Sequence, residues 1–184
     1  MLFVFAAPSG TGKTSIVKEI LKDNPEIEFS VSATTRPQRS GEADGKDYFF
    51  LSREIFEEKI RNNEFVEYEK IFDDNYYGTL KSFIQERLDK KINLIFDLDV
   101  NGALSIKRLF EKFSILIFIK PPDKETIKNR LIKRGTESVE IIEKRLSRFE
   151  YEMSKINEFN FIVTNDNLEN AILKVQEIIT KFKN

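Results

Sequence analysis

The chain of 184 residues contains no cysteine and no histidine. Without thiols there is no disulfide and no thiolate metal site, and with no mark of an oxidising compartment the cytosol is favoured. Without imidazole there is no histidine general base, no Ser-His triad and no histidine-ligated zinc. Whatever chemistry takes place must use carboxylates, Lys, Arg, hydroxyls and an oxygen-ligated metal. A dominant charge is missing too: Lys and Arg number 30 against 31 Asp and Glu, for a formal charge of −1. No overall field recruits nucleic acid or anionic lipid, so any anion site must be local. The apolar run near the N-terminus is short and lacks a basic flank and a small-residue cleavage site. It reads as neither a signal peptide nor a membrane span. The length suits one domain, or one core carrying small insertions, that folds without staples.

What is present begins with Ala7-Pro8-Ser9-Gly10-Thr11-Gly12-Lys13-Thr14, set between the apolar run Leu2 to Ala6 and a helical pattern from Ser15 to Lys22. Strand, glycine-rich turn ending in Gly-Lys-Thr, then helix is the order a P-loop needs. Phosphate oxygens must be met by backbone N–H groups at close range, which calls for residues without bulk at Gly10 and Gly12, above a helix N-terminus with its positive dipole end. Lys13 then reaches the β- and γ-phosphates, and the Thr14 hydroxyl takes a place around Mg²⁺. Ala7 stands where the pattern has its first glycine, and is tolerated there only with a negative φ.

Further along, Ile16, Val17, Ile20 and Leu21 recur at helical spacing until Asn24-Pro25, and Ile27 to Val31 reads as a short strand. Residues 32–42 form a polar stretch with Arg36 and Arg39 three apart, a solvated loop on the plainest reading. Asp47 to Leu51 reads as a strand, Ser52 as the cap of a helix through Arg61, and Phe65 to Tyr68 as another strand. Asn75 to Thr79 reads as a turn into a helix from about Leu80 to Asp89. The block from Ser32 to Thr79 is less apolar than its flanks and breaks the βα rhythm, as an insertion closing over a ligand would.

The rhythm then resumes. Ile92 to Phe96 is a nearly continuous apolar strand, expected of a parallel sheet covered on both faces, and it runs into Asp97-Leu98-Asp99. Two acids spaced i, i+2 at the carboxyl end of such a strand point to the crevice where open α/β sheets bind ligands. A helix follows over Asn101 to Phe110, a strand over Ile115 to Ile119, and a helix from Pro121-Pro122-Asp123 to Lys133. Arg134 to Ser138 interrupts the helical pattern. Val139, Ile142, Leu146, Phe149, Met153 and Ile156 then mark one long amphipathic helix, Phe159 to Val163 a final strand, and Leu168 to Phe182 a last helix. There is no internal repeat and no low-complexity tract. Arg130 and Arg134 lie one helical turn apart and Arg145 follows beyond a glycine-containing hinge. All three could fold down over a triphosphate, or simply face solvent as arginines on amphipathic helices do.

Seven stretches now stand in one order: the P-loop, Val31 to Arg36 with Arg39-Ser40-Gly41-Glu42, Gly45 to Tyr48, Asn63 to Glu67, Asn75 to Thr79, Phe96 to Asp99, and Arg134 to Glu137. Together they resemble the guanylate kinases. The resemblance implies an α/β fold with a P-loop NTPase-type parallel sheet flanked by helices, as a single domain. The core would comprise 1–31, 80–123 and 148–184, the GMP-binding insertion 32–79, and a small helical lid 124–147. It further implies Mg·ATP on residues 7–14, with Lys13, Arg130, Arg134 and Arg145 serving catalysis and Asn165 touching the ATP base. Asp97 would act on Mg²⁺ directly or through water.

Under the same resemblance, Arg36, Arg39, Tyr48 and Tyr77 hold the GMP phosphate, Glu67 faces the guanine donor edge, Ser32 and Thr79 supply hydroxyls, and Asp99 is a further acceptor. Adenine would leave such a carboxylate unpaired, which is how the site rejects it. The expected partners are ATP and GMP, with dGMP a candidate, and no nucleic acid or membrane, in a cytoplasmic monomer or small homo-oligomer. Two rival readings are a guanylate-kinase-like interaction module without catalysis and a nucleoside monophosphate kinase of other base choice.

Overall fold

The structure is a computed structural model that describes residues 1–71, 74–128 and 139–183, with the side chains of 71 and 139–145 excepted. Along the chain the elements run β1 (Leu2–Ala6), α1 (Lys13–Asp23), β2 (Ile27–Phe29), β3 (Ala33–Thr34), β4 (Phe49–Phe50), α2 (Arg53–Arg61), β5 (Phe65–Ile71), β6 (Asn75–Leu80), α3 (Lys81–Asp89), β7 (Asn93–Asp97), α4 (Val100–Phe110), β8 (Ser114–Lys120), α5 (124–128), α6 (Val139–Ser154), β9 (Phe161–Thr164) and α7 (Leu168–Phe182).

Five of the strands make a parallel sheet in the order β2-β7-β1-β8-β9. Its strands are apolar on both faces because both are covered, and the two-residue period sorts them. Leu2, Val4, Leu94, Phe96, Leu116 and Phe118 face one core with α3 and α4. Phe3, Phe5, Ile95, Ile117 and Ile119 face another with α1 and α7. The order reverses around β1, so the loops after β1 and β7 open side by side at the carboxyl edge, where α/β sheets hold ligands.

A second sheet, β4-β3-β6-β5, is built by residues 33–80 and packs on the first core through β5 against α4. Phe56 is stacked between Phe65, at 4.2 Å between ring centroids, and Tyr76, at 5.2 Å. Ser52 caps α2 as expected, its hydroxyl accepting from the Ile55 N–H at 3.3 Å. The β5–β6 ladder carries a bulge between Phe65 and Glu67, and Gly78 lies against it. A Cβ there would be 2.8 Å from Glu67 O and 2.9 Å from Tyr68 Cβ, so the two strands approach this closely only over glycine.

Several boundaries differ from the sequence reading. Asn75 to Thr79, read as a turn from its Asn and Gly, is strand β6, held by pairing with both β5 and β3. The polar stretch 32–42 contains the two-residue strand β3. Strand β2 stops at Phe29, though Ser30 N–H still donates to Ile95 O before the chain leaves for the second sheet. Phe159 precedes β9 and packs edge-on against Phe118 at 5.1 Å. Ile156 falls in a 3-10 turn after α6. The helix expected through Lys133 is seen over 124–128; its remainder and the interruption at 134–138 lie outside the described residues. Among the described residues no helix is long and apolar enough to cross a membrane.

Candidate active site

The loop from Ala7 to Gly12 leaves the buried end of β1 and turns back on itself. Gly10 and Gly12 take the positive φ values of 84° and 93° that only glycine adopts freely, whereas Ala7 is not among the positive-φ residues, as its side chain requires. The turn is fastened by Thr11, whose N–H and hydroxyl both donate to Pro8 O, at 3.2 and 2.6 Å. From beneath, Asn165 donates its side-chain amide to Thr11 O at 2.7 Å, while its own N–H donates to Lys120 O. Expected against the ATP base, Asn165 is 4% exposed, and its amide is directed at the loop backbone.

Lys13 and Thr14 open α1 and meet the end of β7. Lys13 Nζ lies 2.5 Å from Asp97 Oδ1 and donates to the Leu98 carbonyl. Thr14 donates its hydroxyl to Asp97 Oδ2 at 3.1 Å. One carboxylate therefore holds both the P-loop cation and the hydroxyl. Asp99 caps α4: its Oδ1 accepts from Gly102 N–H at 2.8 Å, and its Oδ2 lies 3.2 Å from Arg148 Nη2 on α6. Residues 7–15, Asp97 to Asp99, Arg148 and Glu152 line a cavity of about 390 Å³. Glu152 is 7% exposed. Burial pushes its carboxyl up to about 7; the Asp99 charge adds to the rise, and Arg148 and Lys13 oppose it.

On the second sheet Glu67 is half-buried and accepts the Thr79 hydroxyl at 2.6 Å. Burial raises its carboxyl above the ordinary glutamate range, the Thr79 bond works against this, and the charges of Asp99 and Glu69 add to it. A Cβ on Gly102 would sit 3.4 Å from Asp99 Oδ1 and 3.5 Å from Glu67 Cγ, so the first turn of α4 is the shared wall between the two acids. Tyr77 and Thr79 stand two apart on β6, on one face. The Tyr77 ring meets that of Tyr48 edge-on at 6.0 Å, and the Arg36 guanidinium lies 5.3 Å from the Tyr48 centroid. Arg36 is paired with Glu42 at 2.7 Å, and that bond, with a further one to Tyr77, holds the guanidinium firmly protonated.

The cavity thus gathers the P-loop, Asp97 and Asp99; α4 joins Asp99 to Glu67 and Thr79; and Arg36, Tyr48 and Tyr77 cluster on the same sheet. Ser32 precedes β3 and gives its carbonyl to Phe49 N–H at 2.9 Å. Arg39 is exposed, its N–H donating to Glu42 Oε2 at 2.8 Å. Arg130 and Arg134 lie outside the described residues, and of Arg145 only the helical backbone is described. Sequence reasoning placed Glu42 in a motif without the role of orienting Arg36, and it missed Arg148 and Glu152 in the cavity wall. Their four-residue spacing on an amphipathic helix was the available signal, and it does not separate a site from a solvated face.

The guanylate kinase family pattern matches residues 1–182. Guanylate kinase of Bacteroides thetaiotaomicron is 44% identical over 183 residues, covering 100% of this chain and 90% of the relative. Guanylate kinase of Chlorobaculum tepidum is 48% identical over 181 residues, with 98% and 92% covered. The structure matches the crystal structure of guanylate kinase from Anaplasma phagocytophilum with a TM-score of 0.73 at 27% identity, covering 100% of this chain and 86% of the other. A P-loop is common to many nucleotide enzymes, but this likeness takes in the second sheet and the last helix as well: the chain belongs to the guanylate kinase family.

Proposed function

We propose that this protein transfers the γ-phosphate of ATP to GMP, giving ADP and GDP, with ATP on the P-loop and GMP on the second sheet. The observation that supports it most is the double membership of Asp99, which lines the P-loop cavity and lies across Gly102 from Glu67. Two anion sites that share a wall let a phosphoryl group pass directly from one to the other. Phosphoryl transfer asks the protein for positioning and charge neutralisation, not for a nucleophile, which suits a chain without Cys or His.

The backbone N–H groups of residues 7–14 cradle the donor phosphates, and Lys13 leaves Asp97 for the β- and γ-oxygens. A hydroxyl and a carboxylate meeting at 3.1 Å are hard oxygen donors of the kind Mg²⁺ takes, with phosphate and water completing the set, so Thr14 and Asp97 would hold it. When bound, the ion neutralises charge on the β- and γ-phosphates. Arg36, Arg39, Tyr48 and Tyr77 hold the GMP phosphate, with Arg36 preset by Glu42. Ionised Glu67 accepts from guanine N1–H and N2–H with Asp99 as a further acceptor, while the Ser32 and Thr79 hydroxyls donate to O6 and N7. Arg130, Arg134 and Arg145, on the lid 124–147, bear on the charge of the moving phosphoryl group, and lid closure keeps water from taking GMP's place. The setting proposed is the cytoplasm.

An acceptor screen tests this. With Mg·ATP, GMP should yield GDP and ADP, with kcat/KM for AMP roughly 10⁴-fold lower because adenine leaves Glu67 unpaired. Preference for AMP or UMP would overturn the role of Glu67, and absence of any acceptor-dependent ADP would overturn the activity.

A further inference from the structure

Among the described residues Glu152 is the one carboxyl in the cavity wall that the roles above leave without a task. Among the described residues its Oε2 has no hydrogen-bond partner and is sealed from solvent, and the residue as a whole is only 7% exposed. An acceptor in that state lacks the stabilisation that nearly every buried polar oxygen finds, so it points to a partner that arrives in another state of the protein. The charges around it narrow the choice. Among the described residues the attractive ones are Arg148, the stronger, and Lys13, with Asp99 repulsive.

Among the described residues the two cavity cations are both held by the aspartates at the end of β7: Lys13 by Asp97 at 2.5 Å, and Arg148 by Asp99 at 3.2 Å. These are the carboxylates that the metal and guanine would claim. When they do so, both cations need new acceptors. Lys13 finds the ATP phosphates. Arg148 stands four residues before Glu152 on α6, the spacing at which side chains on a helix meet.

We infer that Glu152 is a positioning residue: when GMP engages Asp99, Arg148 exchanges Asp99 for Glu152, which frees Asp99 for the base and holds the guanidinium beside the P-loop cavity. This rests on the proposed role of Asp99 in GMP binding. An Arg148 that finds no acceptor stays on Asp99 and competes with GMP. Removing Glu152 therefore impairs use of GMP and leaves binding of ATP alone unaffected, a division that a purely structural role would not produce.

The test is a double-mutant cycle on the full chain with Glu152→Gln and Arg148→Ala, reading kcat and KM for GMP together with the ATP dissociation constant in the absence of GMP. Glu152→Gln is expected to lower kcat/KM for GMP by about tenfold, chiefly through KM, with ATP affinity within about twofold of wild type. In the Arg148→Ala background the same substitution is expected to change kcat/KM by less than about twofold. Independent, multiplying losses would overturn the inference, as would a Glu152→Gln variant with wild-type kinetics. Arg148 is half exposed, so its removal does not threaten the fold, and an Arg148→Ala variant with unaltered KM for GMP would overturn it as well. Wild-type GDP formation is the control: its absence refutes the functional reading itself, whereas its presence beside an indifferent Glu152→Gln refutes only the exchange.

Discussion

Replacing Glu152 by Gln is predicted to stabilise the ligand-free protein at pH 8 and to change it little at pH 5. Burial holds the folded-state carboxyl at about 7, against an ordinary value of 4.5. Below pH 4.5 the group is protonated whether the chain is folded or not, and it contributes no penalty. Between 4.5 and 7 the unfolded chain gives up its proton while the folded protein retains it, so wild-type stability falls as pH rises through this window. Each pH unit there is worth about 1.4 kcal/mol, so the loss approaches about 3.5 kcal/mol above pH 7. That is a large part of the 5–15 kcal/mol that is typical, roughly, of a folded domain. Gln has the same shape and no proton to lose, so its stability lacks this dependence. Urea unfolding of both proteins at pH 5 and pH 8, without nucleotide or metal, reads the difference directly. The advantage of the variant should widen by about 2–3 kcal/mol between the two conditions. An advantage that is equal at both would mean that Glu152 is not a buried, unpaired acid, and the reasoning about its missing partner would go with it.

Three further outcomes are expected. Lys13→Met should lower kcat roughly 10³-fold with a near wild-type melting temperature, since it deletes the cation that meets the phosphates; near-normal kcat would defeat the P-loop assignment. Gly78→Ala should destabilise the protein by about 1–3 kcal/mol in urea unfolding and raise KM for GMP, because its Cβ would lie 2.8 Å from Glu67 O and force β5 away; an unperturbed variant would show that the strands have slack. Wild-type affinity for GMP should fall as pH drops through the raised pKa of Glu67, because only the ionised carboxylate accepts from guanine. In Glu67→Gln that affinity should be weaker and flat with pH, and a parallel pH dependence in the two proteins would move the base contact elsewhere.

The parts legible in the sequence were those whose cause is local. Gly10, Gly12, Lys13 and Thr14 announce a phosphate loop because the loop needs those residues wherever it occurs. The runs at β1, β7 and β8 announce a covered parallel sheet because both faces must be apolar. The second sheet was harder to read. Asn75 and Gly78 carry turn signals, yet β6 is a strand because β3 and β5 flank it, and Gly78 is there for close approach rather than for a turn. A strand of two residues such as β3 is too short for any period, whereas β4 falls within the strand read at Asp47 to Leu51. Arg148 and Glu152 were illegible for a different reason. The polar positions of an amphipathic helix say which face avoids the core, and only the packed structure says that this stretch of it overlooks the P-loop.

In the proposed phosphoryl transfer the donor and acceptor sites face one another across Asp99. The most direct measurement is the affinity of a bisubstrate compound, guanosine joined 5′ to 5′ with adenosine through a pentaphosphate, for the wild type and for Glu67→Gln and Lys13→Met. Binding at least roughly a hundredfold tighter than ATP or GMP alone is expected, weakened by each substitution, because one molecule would fill both sites at once. An affinity no greater than that of ATP, or one indifferent to Glu67→Gln, would contradict that arrangement.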